Sequence, residues 1–402
     1  MTEAASLTCP YNGTPRYPFD GGEPTAYLNE VYFALGPGVW PIWLDLADRP
    51  AFLVNGHALL TEVFTRSEDF LQPVDPMPGV VPIQGTMLAM TGKDHLRVRR
   101  PSARPFGRAE VERRRARVRG FVDERLAAFE GRERFDLVAE YATPLTLQVL
   151  GEIIGVPEED LPLFVSWGDR FLNFSDPLDA RAAVQEMCAH IGSLLEQRRG
   201  GASRDDILSA YAGGQGADVT TAEAVMVGAN IVSGGWETTT TAITSIVLHL
   251  LTHGPVPGRT FWDALREDPS LIPNAVQELL RTRPASGDDG PPRIAARDLE
   301  LGGVAIPAGS VLILGKYGAS SDPGVFPDPR TVDLTRPNAR DHLAFGAGPH
   351  ICPGKWLAIV ILEETIAALV ARFPSLRPTG DPLAWRKRSG ARRPEQLWLQ
   401  PA

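Results

Sequence analysis

The most helical stretch of this chain carries two adjacent glycines at its centre. Apolar residues recur at three and four over 222–252, the spacing of one helix face, and Gly234 and Gly235 fall midway along it. Each glycine costs a helix interior about 1 kcal/mol relative to alanine, so a helix that keeps both has a local use for them. The same spacing recurs over 121–130, 145–155, 181–197, 271–281 and 354–373, which predicts a mainly α protein. Alternating patterns are short, from Ala51 to Val54 and from Ile294 to Leu314, with Gly302-Gly303 as a tight-turn signal, and predict small peripheral sheets. The Gly/Ser/Asp-rich stretch 200–216 predicts a loop holding a short helix. No second independent pattern follows it, so a single domain over 1–402 is expected.

Lys and Arg number 40 against 49 Asp and Glu, a formal charge of −9, and 43% hydrophobic with 22% charged residues excludes a disordered, collagenous or coiled-coil chain. The longest strongly apolar run, Ala242 to Leu251, is interrupted by Thr244, Ser245 and His249, well short of the ~20 residues of a membrane span. The first twenty residues are polar and rich in Pro and Gly, unlike a secretion signal, so a cytoplasmic location is expected. Cys9, Cys188 and Cys352 are too few and too scattered for a disulfide framework. Zinc-ligand spacings and a phosphate-cradling glycine-lysine loop are both missing from the sequence.

The chemistry then rests on Gly346-Ala-Gly348-Pro-His-Ile-Cys352-Pro-Gly354, a glycine-rich loop that delivers a cysteine to the start of a helix near Lys355. Helix N–H groups and the helix dipole favour a thiolate there, making Cys352 a metal ligand or a nucleophile. A buried inert cysteine is the competing reading. The longer string Phe345-Gly346-x-Gly348-x-His350-x-Cys352-x-Gly354 resembles the haem-binding loop of the cytochrome P-450 family. The resemblance implies a mainly α, cytochrome P-450-like helical fold and haem b (iron protoporphyrin IX). Cys352 would be the axial iron ligand, with Phe345 and Gly346 beside it.

Other segments match the family in turn. Glu278-Leu-Leu-Arg281 resembles its ExxR motif, 74 residues before Cys352, with Arg336 as the residue paired to it. Taken alone, such an i, i+3 pair reads as a solvated ion pair. Gly234-Gly235-Trp236-Glu237-Thr238-Thr239 resembles the oxygen-activation motif. It implies that the glycines leave room for dioxygen, that a local helix distortion frees Thr238 to bond oxygen, and that Glu237 relays protons. His95 and Arg99 match an HxxxR clamp, and with Arg293 and His350 they are the residues expected on the haem propionates. Ser320-Ser321-Asp322-Pro323 departs from the family's Asn-Arg-Asp-Pro and implies a local structural change. Ser286, Asp288 and Asp289 fall on the chain that borders the family's substrate pocket, beside Gly234 and Gly235. Their surroundings equally describe an exposed turn.

Ten arginines and two glutamates between Arg97 and Arg119 make a segment of net +8 in a chain of −9. A solvated helix face competes there with a docking surface. Nucleic acid is excluded by the overall acidity and the lack of interleaved aromatics. The resemblance implies electrons from a separate ferredoxin and ferredoxin reductase, docking on this segment. The expected activity is oxidation of a small molecule by a haem-thiolate monooxygenase, in secondary metabolism. The alternative is oxidative cross-linking of aromatic groups in a small peptide without oxygen insertion, a reading to which Trp385-Arg386-Lys-Arg388 and the polar 282–292 segment lend weight. A non-catalytic helper relative is the third class, and its mark would be loss of Cys352.

Overall fold

The computed structural model describes residues 16–17, 31–73, 86–171, 176–201, 204–213, 216–285, 291–385 and 393–401. Ser286, Asp288, Asp289 and Arg386 to Arg388 lie outside them.

Six short or medium strands open and interleave with the helical body. These are β1 (Arg16–Tyr17), β2 (Gly38–Leu44), β3 (Arg49–Asn55), β4 (Phe70–Leu71), β6 (Arg293–Ala295) and β9 (Val311–Gly315), joined in the order β1-β2-β3-β9-β6-β4. The two alternating regions of the sequence therefore meet in one sheet: β3 runs parallel to β9, with Phe52 opposite Leu312 and Asn55 opposite Gly315. Every residue of β9 is buried, which is why Val311-Leu-Ile-Leu314 reads as a continuous apolar run. β5 (Phe135–Asp136), β10 (Arg377–Pro378) and β11 (Trp398–Gln400) form a second sheet. β7 (Leu299–Leu301) and β8 (Val304–Ile306) form a hairpin turned by Gly302 and Gly303 at φ 56° and 78°, the positive pair that a two-residue turn needs.

The helices in chain order are α1 (His57–Thr65), α2 (Gly92–Ala103), α3 (Arg108–Ala127), α4 (Thr143–Ile154), α5 (Leu161–Phe171), α6 (Pro177–Gly200), α7 (Ile207–Ala212), α8 (Thr221–Thr252), α9 (Phe261–Glu267), α10 (Ile272–Thr282), α11 (Lys316–Ser320) and α12 (Lys355–Arg372). All six periodic stretches are helical, and α7 is the short helix expected inside 200–216. The 32-residue α8 starts at a capping box in which Thr220 and Glu223 satisfy each other's backbone N–H groups. It packs against α4 and α6 and buries most of its length in the largest apolar core. No described helix is long and apolar enough to cross a membrane.

Candidate active site

The two central glycines of α8 serve different neighbours. A methyl on Gly235 would sit 2.8 Å from Leu150 of α4, whereas one on Gly234 would meet nothing within 4 Å. Gly235 permits close helix packing, and Gly234 faces open space. Trp236 turns to a third side, where its buried indole lies over Gly168 of α5; a Cβ on Gly168 would approach the indole to 2.8 Å. The distortion implied by the resemblance does not interrupt α8. Thr238 Oγ1 donates to the Gly234 carbonyl at 2.6 Å, a bond to the preceding turn that the helix accommodates without opening. The hydroxyl oxygen stays free to accept. Glu237 is buried, and its carboxylate meets the buried Arg393 guanidinium at 3.4 Å.

The cysteine loop is shaped by Gly346 and Gly348, at φ 67° and 68°. Cys352 N–H donates to the Phe345 carbonyl at 2.9 Å and Ile351 N–H to that of Gly348 at 3.1 Å. These bonds fold the loop back before α12. Burial pushes the free Cys352 thiol up, partly offset by the Gly354 N–H and by Arg99, Lys316 and Lys355. The thiolate bias expected from the helix start is thus outweighed in the protein alone, since desolvation opposes the charged form. Phe345 lies under the Lys355 ammonium, 5.9 Å from its ring centre, and beside His342.

The ion pair Glu278–Arg281 is not solvated: both side chains are fully buried. Arg281 donates to Glu278 at 2.8 and 2.7 Å, and Arg336 adds bonds of 3.0 and 3.1 Å to the same carboxylate. The remaining guanidinium N–H groups bind carbonyls of Ser320, Pro327, Asp328, Pro329 and Thr331. The departure at Ser320-Ser321 leaves these contacts in place. One acid and two arginines thereby stitch the strandless chain that precedes the cysteine loop.

His95, Arg99, Arg293 and His350 do come together near Cys352. Arg99 donates to the Pro349 and Ile351 carbonyls at 2.7 and 2.6 Å, and the His95 and His350 rings lie 4.1 Å apart. Arg293 is buried over Phe64 and, among the described residues, donates only to the Pro291 and Pro292 carbonyls. Desolvation first, and neighbouring cations second, hold His95 at about 4 and His350 at about 3; burial alone brings Arg293 down to about 10. Among the described residues no carboxylate pairs with this group, and His95 Nδ1 is buried without a partner. Buried cations without an acid are costly. The donor set fits a ligand with anionic arms lying next to a sulfur-bound metal.

The arginine-rich segment is less free than its count suggests. Arg97 pairs with Glu223, Arg114 with Asp205, Arg115 with Glu112, Glu363 and Glu364, Arg117 with Glu152, Arg119 with Glu364, and Arg113 with Glu110. Four carboxylates on α4, α8 and α12, with Asp205, answer more than half of the +8. Arg100, Arg104 and Arg108 remain exposed without an ion pair among the described residues, and Arg108 covers Trp356 at 4.8 Å. Arg393, His342, Phe64 and Trp356 are contacts that sequence reasoning missed; Arg393 lies 156 residues from its partner Glu237, and no spacing rule links them.

A cysteine loop preceded by a chain that a buried acid-diarginine cluster stitches down is the arrangement that the sequence resemblance implies. The chain belongs to the cytochrome P-450 family: the family's model matches residues 179–396. It is similar to nocardicin C N-oxygenase of Nocardia uniformis subsp. tsuyamanensis, at 34% identity over 96% of this chain and 98% of that one. It is also similar to vitamin D(3) 25-hydroxylase of Pseudonocardia autotrophica, at 33% identity over 83% of this chain and 82% of that one. Among solved structures, the P-450 enzyme for C–S bond formation in chuangxinmycin biosynthesis superposes with a TM-score of 0.85, at 29% identity and 97% coverage of both chains. The putative thioether synthase of griseoviridin tailoring superposes with a TM-score of 0.86, at 28% identity, covering 96% of this chain and 99% of that one.

Proposed function

We propose that this protein is a haem-thiolate monooxygenase that oxidises a small molecule of secondary metabolism with electrons from a separate ferredoxin and ferredoxin reductase. The observation that carries the reading is the acid-free cluster of His95, Arg99, Arg293 and His350 beside the Cys352 loop. Cys352 would hold the iron of haem b, and those four side chains would hold its two carboxylates. Phe345, with Gly346, walls the sulfur. When bound, the haem supplies dioxygen activation and the oxidising power.

The chain's own residues then have separable tasks. Gly234 keeps the face of α8 open. Thr238, its proton on the Gly234 carbonyl, offers its oxygen as an acceptor. Glu237, held by Arg393 on the buried side of α8, would supply protons to the reacting oxygen by way of ordered water, while Thr238 positions that water by accepting from it. Exposed Arg100, Arg104 and Arg108, the last over Trp356 at the start of α12, form the surface on which an acidic ferredoxin docks. Ser286 and Asp288 are retained as substrate-side residues from the sequence.

Oxidative coupling is the second reading, supported by the likeness to the P-450 enzyme for C–S bond formation and to the putative thioether synthase. Product mass separates the readings, since hydroxylation adds one oxygen and coupling removes two hydrogens. The founding test is the reduced, CO-bound spectrum. The native protein shows the red-shifted Soret band of thiolate ligation and Cys352→Ala loses it; a variant that keeps the band refutes the ligand assignment. Thr238→Ala keeps the band but diverts electrons to peroxide, and full coupling in that variant refutes the relay.

A further inference from the structure

The sulfur of Cys352 has few amide donors and one unusually placed cation. Of the residues that follow it, Pro353 carries no N–H, and the Gly354 N–H is the backbone donor that reaches the sulfur. The next residue is Lys355, the first of α12, whose N–H turns back to the Cys352 carbonyl at 3.4 Å. Its half-buried ammonium lies 5.9 Å from the Phe345 ring centre and 5.3 Å from that of Trp356, within cation–π range of both. Phe345 is itself tied to the cysteine, since its carbonyl receives the Cys352 N–H at 2.9 Å. Among the described residues no carboxylate pairs with Lys355; desolvation lowers its ammonium, and the charge that opposes this is Cys352. Arg99 and Lys316 also act on Cys352, but Arg99 is engaged by the Pro349 and Ile351 carbonyls and Lys316 is buried at the start of α11.

We infer that Lys355 is an electrostatic tuning residue: its ammonium, held against two aromatic rings, favours an added electron on the haem–sulfur unit and raises the potential at which the protein is reduced. The inference rests on the haem-thiolate reading above. Metal ligation requires Cys352 as the thiolate. In the step concerned, a reduced ferredoxin loses one electron and the ferric haem gains it, so the unit becomes more negative by one charge. A fixed positive charge nearby stabilises the reduced form more than the oxidised one, and a partly buried charge is screened less than an exposed one. The rings hold the cation without cancelling its charge, which a carboxylate in their place would do. The ammonium also makes up for the donor missing at Pro353, because a hydrogen bond to the sulfur and a cation beside it act on the potential in the same direction.

The test is the midpoint potential of the substrate-free, haem-loaded protein, measured by equilibration with reference dyes for native, Lys355→Met, Lys355→Gln and Lys355→Arg proteins. The two neutral variants shift the ferric–ferrous equilibrium about tenfold towards ferric, a fall of about 59 mV for one electron, whereas Lys355→Arg keeps the native value. The fall persists from low to high salt, unlike the effect of an exposed arginine. The C–O stretch of the CO-bound form moves to lower frequency in Lys355→Met, since a sulfur without the cation donates more charge to the iron; a merely structural lysine would leave it in place. Native potentials in both neutral variants, or a fall in Lys355→Arg as large as in Lys355→Met, overturn the inference. Loss of the thiolate band from both neutral variants also overturns it, by making Lys355 a packing residue. A native protein without that band overturns the haem-thiolate reading and this inference with it; with the band present in all four proteins, only the role of Lys355 is at stake.

Discussion

Gly346 and Gly348 share a backbone conformation but not a neighbourhood, and replacing each with alanine separates the two demands. At φ 67° and 68° both would impose the left-handed penalty on an added Cβ, about 1–2 kcal/mol. For Gly346 that is all, since the nearest atoms are Phe64 ring carbons at 3.7 Å, ordinary contact. For Gly348 the new methyl would stand 2.3 Å from the Phe64 carbonyl oxygen and 3.1 Å from the Thr65 Cα, rigid backbone at the end of α1. Restoring contact would drive the loop and α1 apart by about 1 Å, adding about 1–3 kcal/mol of overpacking. A 402-residue chain has an unfolding entropy of about 0.8 kcal/mol per degree. Gly346→Ala should therefore lower Tm by about 1–2 °C, and Gly348→Ala by about 3–6 °C. Calorimetry measures both. The CO-bound spectrum checks the displacement, because only Gly348→Ala should lose part of the thiolate band. Equal losses in the two variants, in Tm and in band, would show that the Phe64 contact does not constrain the loop.

Three further expectations follow from particular groups. Glu278→Gln leaves Arg281 and Arg336 buried against a neutral amide, so stability should fall by about 3–5 kcal/mol, or about 4–6 °C in Tm; a shift under about 1 °C contradicts the cluster's role. Because His95 is held at about 4 when folded, the unfolded chain binds the extra proton below its ordinary value near 6.5. The haem-free protein should lose stability between about pH 6.5 and 4, less steeply in His95→Asn, as read by urea unfolding at stepped pH. Arg104→Glu with Arg108→Glu should slow reduction by a ferredoxin and flatten its salt dependence, whereas Arg117→Glu, already committed to Glu152, should change it little in stopped-flow traces.

Long helices and the cysteine loop were legible because their signals are local. Periodicity marks 222–252 over eight turns, and glycines at fixed offsets mark residues 346–354. What stayed hidden depends on approach between distant segments. β2 was not foreseen, because Trp40-Pro-Ile-Trp43 alternates poorly and takes its place by pairing residue for residue with β3. The directions of Gly234, Gly235 and Trp236 could not be assigned until α4 and α5 were packed against them. The +8 of the arginine segment misled by summing one stretch, when the carboxylates that answer it come from α4, α8 and α12. Burial of Glu278 was likewise invisible at i, i+3 spacing, which describes a surface pair equally well.

The contacts at the two ends of α1 make it a strut of fixed length. Its first N–H, on His57, is received by the Asp322 carboxylate at 2.9 Å, and two residues earlier the Ser320 carbonyl is gripped by Arg281. Its last turn bears on Gly348. Nine residues, about 13 Å of helix, thus span from the acid-diarginine cluster to the cysteine loop. A single inserted residue would rotate the far end by about 100° and push it about 1.5 Å, so α1 should tolerate changes of side chain on its exposed positions but not changes of length.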